Sequence, residues 1–318
     1  MINVKTGGLA RFDLRRRAER QIKRVAAQWQ LILLLLPALC YVFIFCYIPM
    51  YGVQIAFKNF NSSLGIWGSR WVGFSFFKRF FEYPYFWRIV WNTVSINLYS
   101  LIAGFPLPII LALLINEVRS KAFKRTIQMV TYAPYFISTV VICAMLVLFS
   151  NKENGLFNKL LNISGLQPVD FMGIPELFSS MFVWSGIWQT AGWGTIIYLA
   201  SLSGVSPELV EAARIDGANR FHIIGHINLP HIMPTVVILL ILNCGSLFSL
   251  GFEKVWLLQN NLNLEASEVI STFVYKIGLQ SSEFSYSSAI GLFNTLVNLI
   301  LLILVNNISS RLSETSLW

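Results

Sequence analysis

Residues 211–230 read EAARIDGANRFHIIGHINLP. Glu211, Arg214, Asp216 and Arg220 stand there between long uncharged runs, together with His222 and His226. The chemistry such a segment suits is docking rather than bond making. Ala212 and Ala213 are small and let another surface approach a helix backbone closely. Ile215, Phe221, Ile223 and Ile224 supply apolar area, and the four charges can fix register against a partner. Pro207 after Ser206 suits the first position of a helix, and Glu208 and Glu211 fall where the helix dipole favours negative charge. The pattern predicts a short helix over 207–216, ended by Gly217 at positive φ. A second short helix over 218–226 then turns away, and Pro230 and Pro234 flank the entry to the next apolar run. An amphipathic helix resting on lipid would have a similar composition. His222 and His226 are four apart, with His231 near, but no other ligand lies close in sequence, so no metal site is expected.

Other chemistry is sparse. The sequence holds no GxxxxGK[ST] phosphate loop, no HExxH and no GxGxxG. Cys40, Cys46, Cys143 and Cys244 all lie in apolar runs without a CxxC pair, as small packing residues do. No catalytic residue is expected; an embedded enzyme would have to rest on a lone Ser or Cys.

The elements that carry these residues follow from composition. Of 318 residues, 55% are hydrophobic and 12% charged, with a mean hydropathy of +0.62. Soluble domains average about 25% charged. A helix of roughly 20 apolar residues crosses a membrane, and six uncharged runs reach that length: 31–53, 89–116, 126–151, 177–207, 232–252 and 284–310. They are continuous rather than alternating, which argues against a β-barrel. The fold class is therefore all-α, a polytopic membrane protein with six transmembrane helices. Its parts are a basic tail over 1–28, a membrane domain over 29–310 containing the polar elbow at 205–231, and a short tail over 311–318.

Charge sets the orientation. The first 28 residues hold eight Lys and Arg, from Lys5 to Arg24, against Asp13 and Glu19. A basic block abutting an apolar run marks a cytoplasmic flank more than a nucleic-acid arm. As a signal-peptide n-region it would be long, and no small-residue cleavage site follows. With both termini inside, inner segments carry 15 Lys and Arg and outer ones 9, and the elbow falls in the cytoplasm. The first outer loop is the exception, with Lys58, Arg70, Lys78, Arg79 and Arg88 among Trp67, Trp71, Phe74, Phe76 and Phe77. It reads as an ordered cap on the outer surface.

Glu211-Ala212-Ala213, three residues, Gly217, nine residues and Ile227-Asn228-Leu229-Pro230 match every position of an EAA-x3-G-x9-I-x-LP signature. The stretch resembles the coupling loop of permease subunits in bacterial ATP-binding-cassette importers, and it sits before the second-to-last run, where that family keeps it. Tyr51-Gly52-Val53-Gln54-Ile55-Ala56-Phe57-Lys58, Trp71-Val72-Gly73-Phe74 and Asn92-Thr93 resemble the carbohydrate-uptake branch, in particular its oligo- and polysaccharide permeases. The resemblance runs from about residue 30 to the C-terminus. Phe74 departs from it, since many relatives have leucine there.

The resemblance implies a type I importer permease fold in the bacterial inner membrane, with no enzymatic activity of its own. It implies a second permease subunit, identical or related, two ATPase subunits and an extracytoplasmic sugar-binding protein. ATP and magnesium would sit on the ATPase, with no cofactor on this chain and no nucleic acid as partner. Glu211, Ala212, Ala213, Arg214, Asp216, Gly217 and Arg220 would dock the ATPase, Glu211 pairing with a basic residue. Polar residues inside spans are costly and often face a pathway. Asn243 and Ser246 are three apart, Tyr135 and Thr139 four apart, and Gln189 and Trp193 four apart, which places each pair on one helix face. Tyr135, Thr139, Trp193, Asn243 and Ser246 are the expected contacts of an oligosaccharide, although Trp also anchors interfaces and Ser and Asn also join helices. Asn294 and Asn298 read as helix–helix glue. The five basic residues of the first outer loop suit an anionic saccharide, such as a uronate oligomer like alginate; they equally suit an acidic binding protein. A self-sufficient secondary transporter or channel for a small polar solute is the alternative, but it would need ionisable residues in the spans, and the six runs have none.

Overall fold

The computed structural model describes residues 28–312. All but the last residue of the basic tail, and most of the C-terminal tail, lie outside the described residues. Each apolar run becomes helical, because hydrocarbon offers a backbone no partner but itself. The first span is Trp29–Phe57, the second Phe86–Asn116, the fifth Arg220–Cys244 and the sixth Phe284–Ser310. The third is broken: Lys121–Phe136 and Thr139–Phe149 meet at 92°.

The fourth run becomes the 28-residue helix Pro175–Leu202. At 1.5 Å per residue it is about 42 Å long, enough to cross, yet its Ser, Gly, Gln, Thr and Trp leave it less apolar than the other spans. Its position explains this. It packs against the second, third and fifth spans and buries Phe178, Phe182, Val183, Ala191, Gly192, Thr195, Tyr198 and Leu202. A helix covered by protein on several sides need not be apolar for lipid.

One expectation is corrected here. The elbow does not hold two separate short helices. Pro207–Ile215 forms as expected, but the second piece continues straight into the fifth span from Arg220 to Cys244. Pro230 does not break it, because Ile224–Asn228 is a π-type turn, and the wider turn relieves the clash between a proline ring and the preceding turn's carbonyl. The fold is all-α as expected; among the described residues the one strand pairing is the short antiparallel contact of Lys58–Asn59 with Arg70–Trp71, between the first and second spans. There Lys58 is buried, donates to the Ile66 carbonyl at 2.7 Å and lies over the Trp71 ring. The cap is clamped to the start of the sixth span by the Arg79 guanidinium, which donates to both Glu283 carboxylate oxygens; this bond holds Arg79 above its ordinary pKa despite some desolvation.

The segment after the fifth span, which the charge count assigns only to the outer side, is not a plain connection. It folds back among the helices as Phe252–Leu258, Leu264–Ser267 and Ile270–Tyr275. Leu250, Val255, Leu258 and Val269 join Ile96, Cys143, Phe178, Phe182 and Val183 in one buried cluster. Several of its polar groups are bonded inside. Asn92 donates to the Glu265 and Glu268 carbonyls, and the Ile270 amide donates to the Thr93 hydroxyl, which gives the Asn92-Thr93 pair a structural task. Asn263 is 1% exposed. It donates to the Met172 and Leu258 carbonyls and accepts from the Asn260 amide and the Ser267 hydroxyl. Asn263→Ala removes the partner of the Leu258 carbonyl, the Asn260 amide and the Ser267 hydroxyl, while the Met172 carbonyl keeps the Asn260 side chain, at about 2–4 kcal/mol in all. Thermal unfolding of the detergent-purified complex is expected to shift down by at least about 5 °C; an unchanged midpoint would show that water replaces the side chain.

Candidate functional site

The elbow is built by local rules. Pro207 occupies the first helical position after Ser206, whose backbone is extended, and Glu208 lies in the first turn. The Ser206 side chain makes no capping bond. At the other end the Ala218 amide bonds the Ala213 carbonyl at 2.8 Å and the Gly217 amide bonds the Arg214 carbonyl at 3.1 Å. That is a Schellman ending, and it requires the left-handed conformation Gly217 has, with φ +84°. Asn219 then accepts from the His222 amide and starts the next helix.

Glu211, Ala212, Arg214, Asp216, Gly217 and Arg220 are exposed, and Ala213 is half-buried. Ile215 and Phe221 project with more than four-fifths of their surface open. None of the four charges joins an ion pair among the described residues. The predicted docking residues therefore form one accessible patch of unpaired charge and apolar side chains. Its base is fixed: Leu202, Tyr198, Ile232, Ala112 and Leu113 form a buried cluster beneath it, against which Ile224 and Leu229 pack. His226 bonds the His222 carbonyl, and no group of three or more His, Cys, Asp or Glu placed to share a metal occurs among the described residues.

The second site is a cavity of about 550 Å³ between the second, fourth and fifth spans. Trp193, Asn243 and Ser246 line it, as the sequence predicts. The Ser246 hydroxyl donates to the Asn243 carbonyl, which holds it beside Asn243 although the helix ends at Cys244. Tyr135 stands behind Trp193, their rings parallel within 2° and 4.4 Å apart. Thr139 is not among the residues that line the cavity. Its expected helix face with Tyr135 does not exist, because Pro134 lies in a short 3-10 turn, Ile137 is extended and Ser138 caps a new helix between the two positions. Gln189 reaches across to donate to the Ile137 carbonyl that this break sets free. Trp184 and Trp188 line a separate, apolar cavity.

Sequence reasoning missed the cation in this site. Lys254, on the helix Phe252–Leu258 outside the spans, lines the cavity with Asn97, Ser100 and Gln189. Its ammonium donates to the Phe182 carbonyl at 2.7 Å and lies 4.7 Å from the Phe182 ring centroid. Burial lowers its pKa to about 8. The readable signal was a lysine two residues after an apolar run, inside the stretch Phe252-Glu253-Lys254-Val255-Trp256.

Comparison with known proteins bears on both sites. The family described as Binding-protein-dependent transport system inner membrane component matches residues 104–314. The chain belongs to this family. It is 43% identical to Protein LplB of Bacillus subtilis over 91% of both chains. It is 40% identical to the polygalacturonan/rhamnogalacturonan transport system permease protein YteP of the same organism, over 94% of both. A chain in the crystal structure of a bacterial alginate ABC transporter, in complex with an alginate pentasaccharide-bound periplasmic protein, superposes with a TM-score of 0.85 at 37% identity, covering 93% of this chain and 99% of that one. This family member is thus a multi-pass membrane permease, and the match spans the elbow and the residues of the fourth and fifth spans that line the cavity.

Proposed function

We propose that this permease carries an oligosaccharide inward across the bacterial inner membrane, driven by ATP hydrolysed on a separate subunit. A second permease, identical or related, completes the pathway, and an extracytoplasmic binding protein delivers the sugar. Each elbow sits in a groove of one of two ATPase subunits, which hold ATP and magnesium. Both termini then lie in the cytoplasm. The observation that carries this reading is the unbroken helix from Arg220 to Cys244. Its cytoplasmic end continues the exposed patch, and Asn243 at its other end lines the cavity. A 25-residue helix of about 37 Å is stiff enough to move as a lever, so closing the ATPases displaces one wall of the cavity. Trp193, backed by Tyr135, offers an aromatic face, and Asn243, Ser246 and Gln189 offer hydrogen bonds, to a solute rich in hydroxyls.

The test is reconstitution in proteoliposomes. Oligosaccharide uptake is expected with the permease pair, ATPase, binding protein and ATP together, and the permease alone is expected to be inert. Uptake by the permease alone, without ATP, would establish the secondary-transporter alternative.

A further inference from the structure

Lys254 is a cation in a cavity whose described lining residues include no carboxylate. Its ammonium has three N–H groups, and the Phe182 carbonyl takes one. The ion pairs among the described residues are Lys78–Glu82, Arg79–Glu283 and Lys276–Glu268, none of which involves it. Room has been left around it: a Cβ on Gly186 would come within 3.0 Å of the Lys254 Nζ. The other polar groups that line the cavity are neutral, among them Asn97, Ser100, Gln189, Asn243 and Ser246. Placing a charge in a partly desolvated site without a partner is costly, and a permanent role in packing would be met by methionine or leucine. An anion that also carries many hydroxyls would match the whole set, the carboxylate on the ammonium and the hydroxyls on the amides and serines.

We propose that Lys254 is the carboxylate-recognising residue of the pathway and that the transported saccharide is a uronic-acid oligomer. The inference rests on the sugar-permease reading above and names its substrate class. Lys254 binds each uronate as it passes, and Gly186 keeps the ammonium open to the cavity.

The test uses the full complex in proteoliposomes and two sets of probes, uronic-acid oligosaccharides of defined length and their carboxyl-reduced neutral counterparts. Wild-type uptake is expected to favour the acidic set. Lys254→Met should lower uronate uptake on the order of 10- to 100-fold, the value of one charge-assisted contact, and lower uptake of the neutral set far less. Lys254→Arg should recover most of the loss. Equal losses for both sets in Lys254→Met would make Lys254 a structural donor to Phe182 and overturn the inference. So would wild-type uptake that favours the neutral set, which leaves the sugar-permease reading standing. A wild-type complex that moves neither set but takes up another oligosaccharide with ATP would overturn this inference alone, and one that moves no oligosaccharide would overturn that reading as well.

Discussion

Gly217→Val is expected to strip the ATPase from the detergent-purified complex and to reduce ATP-driven uptake at least about tenfold. The reason lies in the backbone. Gly217 holds φ +84° at the end of Pro207–Ile215, a conformation that costs a residue with a Cβ roughly 1–2 kcal/mol and a β-branched residue more. A valine there would abandon the left-handed turn and its two closing bonds, from Ala218 to Ala213 and from Gly217 to Arg214. The helix carrying Glu211, Arg214 and Asp216 would then leave its angle to Arg220. Among the described residues nothing lies within 4 Å of a Cβ at this position, and the surroundings are exposed, so the membrane domain should still fold and insert. Gly217→Asn separates two causes, because asparagine tolerates positive φ. If conformation governs docking, Asn retains the ATPase where Val loses it. If the groove needs an empty position, both lose it. Full ATPase occupancy and full uptake in Gly217→Val would refute a role for this turn in coupling.

How far the sequence reveals these features depends on the range of the interactions that make them. The Pro207 start, the Gly217 stop and the exposed charges of the elbow are local, and helix rules of one or two turns suffice to read them. The continuity of Arg220–Cys244 was misread because prolines at 230 and 234 read as the flank of a new element; Pro230 follows the π-type turn at Ile224–Asn228, and Pro234 is held inside the α-helix Leu229–Cys244 itself. Tyr135 and Thr139 were paired by helical spacing across a 92° break, which a Pro134 and Ser138 reading would have found. Lys254 failed for a different reason. Charge assigned its segment only to the outer side, and long-range bonds such as those of Asn92, Thr93 and Asn263 turn that segment inward. The aromatic and polar residues of the cavity were visible as costly groups in apolar runs, whereas which of them meet depended on crossings between spans far apart in sequence.

One of those crossings gives the second large effect. Gly192→Leu is expected to yield little assembled protein, and Gly192→Ala to lower the unfolding midpoint by at least about 5 °C and to impair uptake in what remains. A Cβ at 192 would fall on the Thr131 carbonyl oxygen and 2.5 Å from its carbon. These are backbone atoms that no rotamer change can move, so the third and fourth spans would have to part. Small residues permit such backbone contact between membrane helices. Three interactions ride on the crossing: the Thr195 hydroxyl on the Tyr132 hydroxyl, Gln189 on the Ile137 carbonyl, and the Trp193–Tyr135 stack at 4.4 Å. Separation would loosen all three and with them the aromatic wall of the cavity. Gly291 in the sixth span is the control, since a Cβ there meets nothing within 4 Å and its alanine variant should retain both midpoint and uptake. Wild-type behaviour of Gly192→Ala in the same assays would mean that the two spans do not cross at backbone contact, and the cavity would then need a different wall.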